Sequence, residues 1–197
     1  MPEDLELSAT FKDHFSSQSD RYREFRPTYP DALFLYLKSL LPQGDSAWDC
    51  ATGNGQAAVA LARHFRSVVA TDASQAQIEA AVAQEGVTYL VAPAEDSGLA
   101  KNSVDLVTVG QAFHWFDETL FLDEVRRVLR PSGVIAVWCY QLSTVNERCD
   151  RIVAYLYGEL VDEYWPPERE KVAAGYPGLV LPGTPVKAPP FKLQQRW

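Results

Sequence analysis

Apolar residues along the chain fall into short blocks of two kinds. Ser46-Ala47-Trp48-Asp49-Cys50, Ser67-Val68-Val69-Ala70-Thr71, Val87-Thr88-Tyr89-Leu90-Val91, Val104 to Val109 and Val134 to Tyr140 are short runs rich in β-branched and aromatic residues, and each predicts a strand. Between them the apolar positions change to helical spacing. Ala58, Leu61, Ala62 and Phe65 mark a helix over Gln56 to Phe65, a second is expected over Gln75 to Gln84, and Leu120, Phe121, Val125, Val128 and Leu129 mark one over Glu118 to Leu129. Strands this uniformly apolar are buried on both faces, and crossover helices are what join parallel neighbours. The expected fold class is therefore α/β, a doubly wound, mostly parallel Rossmann-like sheet.

Two helical segments lie outside that alternation. Asp31 to Leu41 carries Leu33, Phe34, Leu37, Leu40 and Leu41 on one face, with Pro30 at its start, where a missing donor costs nothing. Val145 to Trp165 repeats Ile152, Val153, Leu156, Leu160 and Val161 at helical spacing. Beyond it lie Pro166, Pro167, Pro177, Pro182, Pro185, Pro189 and Pro190, more than half of the 13 prolines, so the tail cannot hold a long helix or a central strand. The chain thus divides into a helical lid (1–45), a ligand-binding core (46–141) and a helix with a proline-rich cap (142–197), one structural domain overall. Open α/β sheets bind ligands at the carboxyl ends of their strands, where the two flanking segments are placed to form a roof.

Composition narrows the function classes. With 197 residues, 47% of them hydrophobic, the chain can bury roughly two thirds of its surface without disulfides or a structural metal. Its formal charge is −8, and the largest basic cluster is Arg126, Arg127 and Arg130, read as the last turn of a helix, where positive charge complements the macrodipole. Nucleic acid is therefore not expected as a partner. Cys50, Cys139 and Cys149 are odd in number and far apart, which predicts reduced thiols in a cytoplasmic protein and no metal site. The N-terminal Met1-Pro2-Glu3-Asp4-Leu5-Glu6 is acidic where a secretion signal is basic, and no apolar run approaches the roughly 20 residues of a membrane span. A soluble monomer or homodimer follows.

The stretch that carries chemistry is Asp49-Cys50-Ala51-Thr52-Gly53-Asn54-Gly55-Gln56, at the end of the first strand and the start of the next helix. Its glycines allow a tight turn and a close ligand. Asp72 directly follows the second strand, so one helix and one strand return its carboxylate beside the turn, where it can accept hydrogen bonds from both hydroxyls of a ribose. Capping the next helix is the competing role for Asp72, one that Ser74 fills equally well. Asp49 can instead fix the loop by accepting backbone N–H bonds. Gly53-x-Gly55-x-x-Ala58 also satisfies a dinucleotide fingerprint, which leaves a nicotinamide-dependent oxidoreductase open; against it, Asp49 would repel a pyrophosphate but suits a ligand with amino and sulfonium charges.

Asp49-Cys-Ala-Thr-Gly53-Asn-Gly55 resembles the first motif of the class I S-adenosylmethionine-dependent methyltransferases, in the small-molecule branch similar to trans-aconitate methyltransferase. Further stretches fit in order: Ala70-Thr71-Asp72-Ala73-Ser74, Ala94-Glu95-Asp96, Gln111-Ala112-Phe113-His114-Trp115-Phe116, Val128-Leu129-Arg130-Pro131-Ser132-Gly133, and the N-terminal Tyr22-Arg23-Glu24-Phe25-Arg26-Pro27-Thr28-Tyr29-Pro30. The resemblance covers about residues 11 to 140. It implies that Asp49, Ala51, Gly53 and Gly55 line the methionine part of S-adenosylmethionine, that Asp72 and Ala73 hold the ribose, and that Ala94 and Glu95 lie at the adenine. Gln111 closes the site near the sulfonium, and Tyr22 and Arg26 come from the lid. Ala51 and Ser132 stand where the family often has glycine, and the chain is several tens of residues shorter than the family fold at its C-terminus. That shortness leaves a cofactor-binding module with impaired catalysis as an alternative.

In-line methyl transfer mainly requires alignment in a dry cavity. A carboxylate acceptor needs no base; an amine, thiol or phenol would use one, and His114 is the histidine placed for it. A buried structural histidine is the competing reading. Arg23 and Arg26 could clamp an acidic small-molecule acceptor. Phe113, Trp115 and Phe116 suit pocket wall or core, and His14 and His64 show no role.

Overall fold

The computed structural model describes residues 28–41, 43–140, 142 and 144–192. Strands β1 (Ser46–Cys50), β2 (Ser67–Asp72), β3 (Val87–Val91), β4 (Val104–Gly110) and β5 (Leu129–Trp138) form one parallel sheet in the order β3-β2-β1-β4-β5. Helices α1 (Asp31–Ser39), α2 (Gln56–Leu61), α3 (Gln75–Glu79), α4 (Glu118–Val128), α5 (Glu147–Tyr155) and α6 (Arg169–Ala173) surround or follow it. The chain moves outward from β1 to β3, then returns to β4 on the other side of β1. That reversal opens a crevice between the carboxyl ends of β1 and β4.

The two faces of the sheet have separate cores, as a doubly wound fold requires. On one face, Leu33, Phe34 and Leu37 of α1 and Ala57, Ala58 and Leu61 of α2 pack over Ala47, Val68, Ala70 and Leu106. On the other, Phe121, Leu122, Val125 and Val128 of α4 pack over Trp48, Val107 and Val109. Each large side chain so buried contributes about 1.5–3 kcal/mol. Trp48 is fully buried without an orphan donor, because its indole N–H reaches Thr71 Oγ1 at 2.9 Å. Burial on both faces holds along β1 and β4, whereas the edge strands β3 and β5 are half exposed.

The amino ends of the strands are tied by Asp105. Its Oδ2 accepts the backbone N–H groups of Asp45 and Ser46, each at 3.0 Å, the Ser46 hydroxyl at 2.7 Å and Arg130 Nη1 at 2.9 Å. Burial alone would raise the Asp105 carboxyl, but Arg130 and these donors outweigh it and hold it below the ordinary range. On α4, Glu124 accepts the Ser97 N–H at 2.9 Å and the Ser97 hydroxyl, and Arg127 at 2.6 and 2.7 Å, which pins the β3–β4 connection to the helix.

Several expected boundaries shift. β5 begins at Leu129, ahead of Val134, because Leu129 already pairs with Val104 before an irregularity in the ladder; Arg130 therefore lies in β5 and not in a helical turn. The helices expected over Gln56 to Phe65 and Gln75 to Gln84 stop at Leu61 and Glu79. The helix expected over Val145 to Trp165 breaks after Tyr155 into a π turn (Leu156–Leu160) and a 3₁₀ turn (Asp162–Tyr164). The proline-rich tail contains the short α6, which the proline spacing did not reveal. Among the described residues, no helix is long and apolar enough to cross a membrane.

Candidate active site

The turn after β1 is built from alternating left-handed residues. Ala51, Gly53 and Gly55 have φ of 53°, 57° and 86°, and Gly55 caps the start of α2. Gly53 faces open space: a Cβ there would meet only Gln77 Oε1, at 3.7 Å. Gly55 is closed by the Tyr89 ring, which stands where a Cβ would project. Tyr89 comes from β3 and donates to the Val82 carbonyl at 2.9 Å; the sequence reading assigned it to a strand without a role in this turn. Its signal was an aromatic residue in the strand two places from the glycine turn in the sheet, which only the strand order reveals.

Asp49 anchors the turn from beneath. Its carboxylate is buried and accepts the Thr52 hydroxyl at 2.5 Å and the Thr108 hydroxyl at 2.7 Å. Burial pushes its pKa up to about 6, against the pull of Thr52, Thr108 and the Ala58 backbone, with the charge of Asp72 adding to the rise. Asp49 is thus engaged within the protein, as the loop-fixing alternative required, but mainly through hydroxyls. Neither threonine was singled out from the sequence.

Asp72 ends β2 beside the same turn. Oδ2 accepts the Gly53 N–H at 2.8 Å and Oδ1 accepts the Ser74 N–H at 2.9 Å. The cap of α3 is Ser74, whose side chain accepts from the Gln77 N–H, so Asp72 is not spent on that role. Ala73 follows it, exposed, at the strand end.

Beyond β3, Ala94 is buried and Glu95 Oε1 accepts the Asp117 N–H at 2.9 Å, joining the loop after β3 to the cap of α4. Cys50 lies between three acids. Burial raises its thiol well above the usual range, and Asp49, Glu95 and Asp72 raise it further. The carboxyl ends of β1, β2 and β3 therefore share a field that opposes anions.

On the far side of the crevice, Gln111 follows β4 with a φ of 61°, an uncommon conformation for a residue with a side chain. Its N–H donates to the Trp138 carbonyl at 2.9 Å and its Nε2 to the Tyr140 carbonyl at 3.2 Å, so β5 holds it in place. His114 sits in the 3₁₀ turn Phe113–Trp115 and is buried; burial lowers it to about 4, with Glu168 opposing and Lys171 assisting, which leaves the ring neutral at physiological pH. Its Nδ1 lies 3.0 Å from Tyr176 Oη. Phe113 is core, packed edge-on against Phe121 at 5.9 Å, while Trp115 is 37% exposed. His64 has a structural role, pairing with Asp31 at 2.8 Å. Tyr22, Arg23, Arg26 and His14 lie outside the described residues.

The residues present fit S-adenosylmethionine on two observations: open space over Gly53, and the acids Asp49, Asp72 and Glu95 gathered around the carboxyl ends of β1 to β3, which suit a cationic ligand. They fit a pyrophosphate poorly for the last of these reasons. Among the described residues no cluster of three metal-ligating side chains occurs.

Comparison with known proteins gives the same answer. Residues 48–137 match the model of the methyltransferase domain family. A Dictyostelium discoideum protein bearing a methyltransferase name is 39% identical over 170 residues, covering 84% of this chain and 65% of that protein. An uncharacterized methyltransferase of Mycobacterium tuberculosis is 32% identical over 165 residues, covering 83% and 65% respectively. A solved structure from Anaeromyxobacter dehalogenans, described as a type II methyltransferase, superposes with a TM-score of 0.80 at 46% identity, covering 88% of this chain and 74% of that one. The chain spans 65% of the length of these curated relatives, and their names do not reach the methyl acceptor. With the glycine turn, the acid after β2 and the five-stranded order in place, the chain belongs to the class I S-adenosylmethionine-dependent methyltransferases.

Proposed function

We propose that this chain binds S-adenosylmethionine across the carboxyl ends of β1 to β4 and transfers its methyl group to a small molecule, a carboxylate in the simplest case. The observation that carries the reading is the locked pair of Asp72 and the glycine turn at the reversal of strand order. When bound, S-adenosylmethionine supplies a methyl group already activated by a sulfonium. Asp72 and Ala73 would hold the ribose, Ala94 and Glu95 the adenine, and Asp49, Ala51, Gly53 and Gly55 the methionine end. Gln111 would border the sulfonium. Segments 1–45, with Tyr22 and Arg26, and 142–197 would form the roof, and the acceptor would meet the cofactor beneath it, near His114. In this reading the protein works in the cytoplasm.

Calorimetric titration with S-adenosylhomocysteine and, separately, NAD tests the cofactor. Binding of the first alone is expected; binding of NAD alone would overturn the reading. Asp72→Asn should weaken S-adenosylhomocysteine roughly 10- to 100-fold, the loss of one or two charge-assisted hydrogen bonds. The asparagine variant is preferred to alanine because Asp72 also fixes the Gly53 and Ser74 amides.

A further inference from the structure

Tyr176 belongs to the proline-rich tail, yet its position is set by the end of a helix. α6 finishes in a Schellman turn, with the Gly175 N–H on the Val172 carbonyl at 2.9 Å and the Tyr176 N–H on the Lys171 carbonyl at 2.8 Å. Gly175 and Tyr176 both take positive φ, 72° and 55°. For a bulky aromatic residue this backbone is strained, and strain of this kind persists only where the surroundings fix it. The surroundings here are the 3₁₀ turn after β4. The Tyr176 ring meets Phe113 edge-on at 5.6 Å, lies nearly parallel to the His114 ring at 6.2 Å, and sets its hydroxyl 3.0 Å from His114 Nδ1.

We propose that Tyr176 is a positioning residue that holds His114 in the neutral form protonated at Nε2, so that the ring serves the methyl acceptor as a hydrogen-bond donor and not as a base. The proton assignment follows from the relative strengths of the two groups as donor and acceptor across the 3.0 Å contact. A neutral imidazole nitrogen is a better acceptor than a phenol oxygen, and the phenol, which burial raises above its ordinary value, keeps its single hydrogen. That hydrogen points to Nδ1. The reverse arrangement, with Nδ1–H donating to the phenol, would pair the weaker donor with the weaker acceptor. A neutral ring that accepts at Nδ1 carries its proton at Nε2. The charged groups around the pair are Glu168 and Lys171 of the same tail, which act on the ring in opposite directions, with Cys139 and Tyr29 near the phenol.

An Nε2–H group can hold a lone pair of the acceptor in line but cannot take a proton from it. The nucleophile must then arrive ionised or lose its proton to water. This consequence rests on the methyl-transfer reading; the state of the ring does not.

The test uses the full chain labelled with ¹⁵N at histidine. The chain has 3 histidines, and a His114→Gln variant identifies the ring signals of His114. Long-range proton–nitrogen correlation should show Nδ1 bare and Nε2 protonated at neutral pH. In Tyr176→Phe the two tautomers should mix and the ring should charge at higher pH, because the donor that favoured the neutral form is gone. A proton on Nδ1 in the unmodified chain would overturn the proposal, as would a Tyr176→Phe ring indistinguishable from it. The first of these decides the matter even if Tyr176→Phe does not fold. S-adenosylhomocysteine titration of the same unmodified sample separates the two readings: the expected tautomer without cofactor binding would sink the methyl-transfer reading and leave the Tyr176 assignment in place.

Discussion

Ala51, Gly53 and Gly55 share a left-handed backbone, and one of the three carries a Cβ. The sequence reading noted Ala51 where the family often has glycine; the structure shows that the cost of this residue is conformational. Left-handed backbone costs an L residue about 1–2 kcal/mol, and glycine loses part of that advantage through its freer unfolded chain. Ala51→Gly should therefore stabilise the protein by roughly 1 kcal/mol, visible as a raised midpoint in thermal unfolding. A lowered midpoint would mean that the Cβ makes contacts that outweigh the strain. Gly55 was legible as a position that excludes side chains, but the reason was not. Tyr89, from the edge strand, occupies the space, and no local pattern joins those two residues.

Among the elements, the sequence located those with one uninterrupted pattern. β1 and β3 have the expected limits, since each is a clean apolar run between turn residues. β5 was placed too late because Pro131 and Gly133 read as a turn, while the ladder tolerates them beside its irregularity at the sheet edge. The Val145 to Trp165 pattern keeps helical spacing through Leu156 and Leu160, but Gly158 sits in the stretch that widens into a π turn. Polar cross-links were not legible, because they depend on which loops meet. Glu124 shows this: an acid on a helix reads as surface, yet it is 6% exposed and holds Ser97 and Arg127. Glu124→Ala should cost about 2 kcal/mol in urea unfolding, from the buried Ser97 donors left without a partner. A loss below the error of the extrapolation would assign the loop's position to its apolar contacts instead.

For the molecule as a whole, two buried groups oppose each other as pH falls. The Asp49 carboxyl, at about 6, takes a proton in the folded chain before the unfolded chain does, near 3.9, so acidification through this window adds stability. His114, at about 4, stays neutral when folded while the unfolded imidazole charges near 6.5, so the same acidification removes stability. The unmodified chain should show a shallow pH dependence between these limits. Asp49→Asn should make stability fall more steeply on acidification, and His114→Gln should make it fall less or rise. Denaturant midpoints across that range check both signs.

The reversal of strand order that places the site also separates its two halves in time. The Gly53–Asp72 bond joins residues 19 apart in the chain, whereas the Thr108–Asp49 bond joins residues 59 apart. Loop-closure entropy rises with separation, and contacts that span more chain form later. The β1-β2-β3 half, with its glycine turn and Asp72, can therefore assemble while Asp49 still lacks Thr108 and β4 has not docked. During synthesis, the Asp72 side of the crevice would take shape before the ribosome had released the residues of β4 and the turn that follows it.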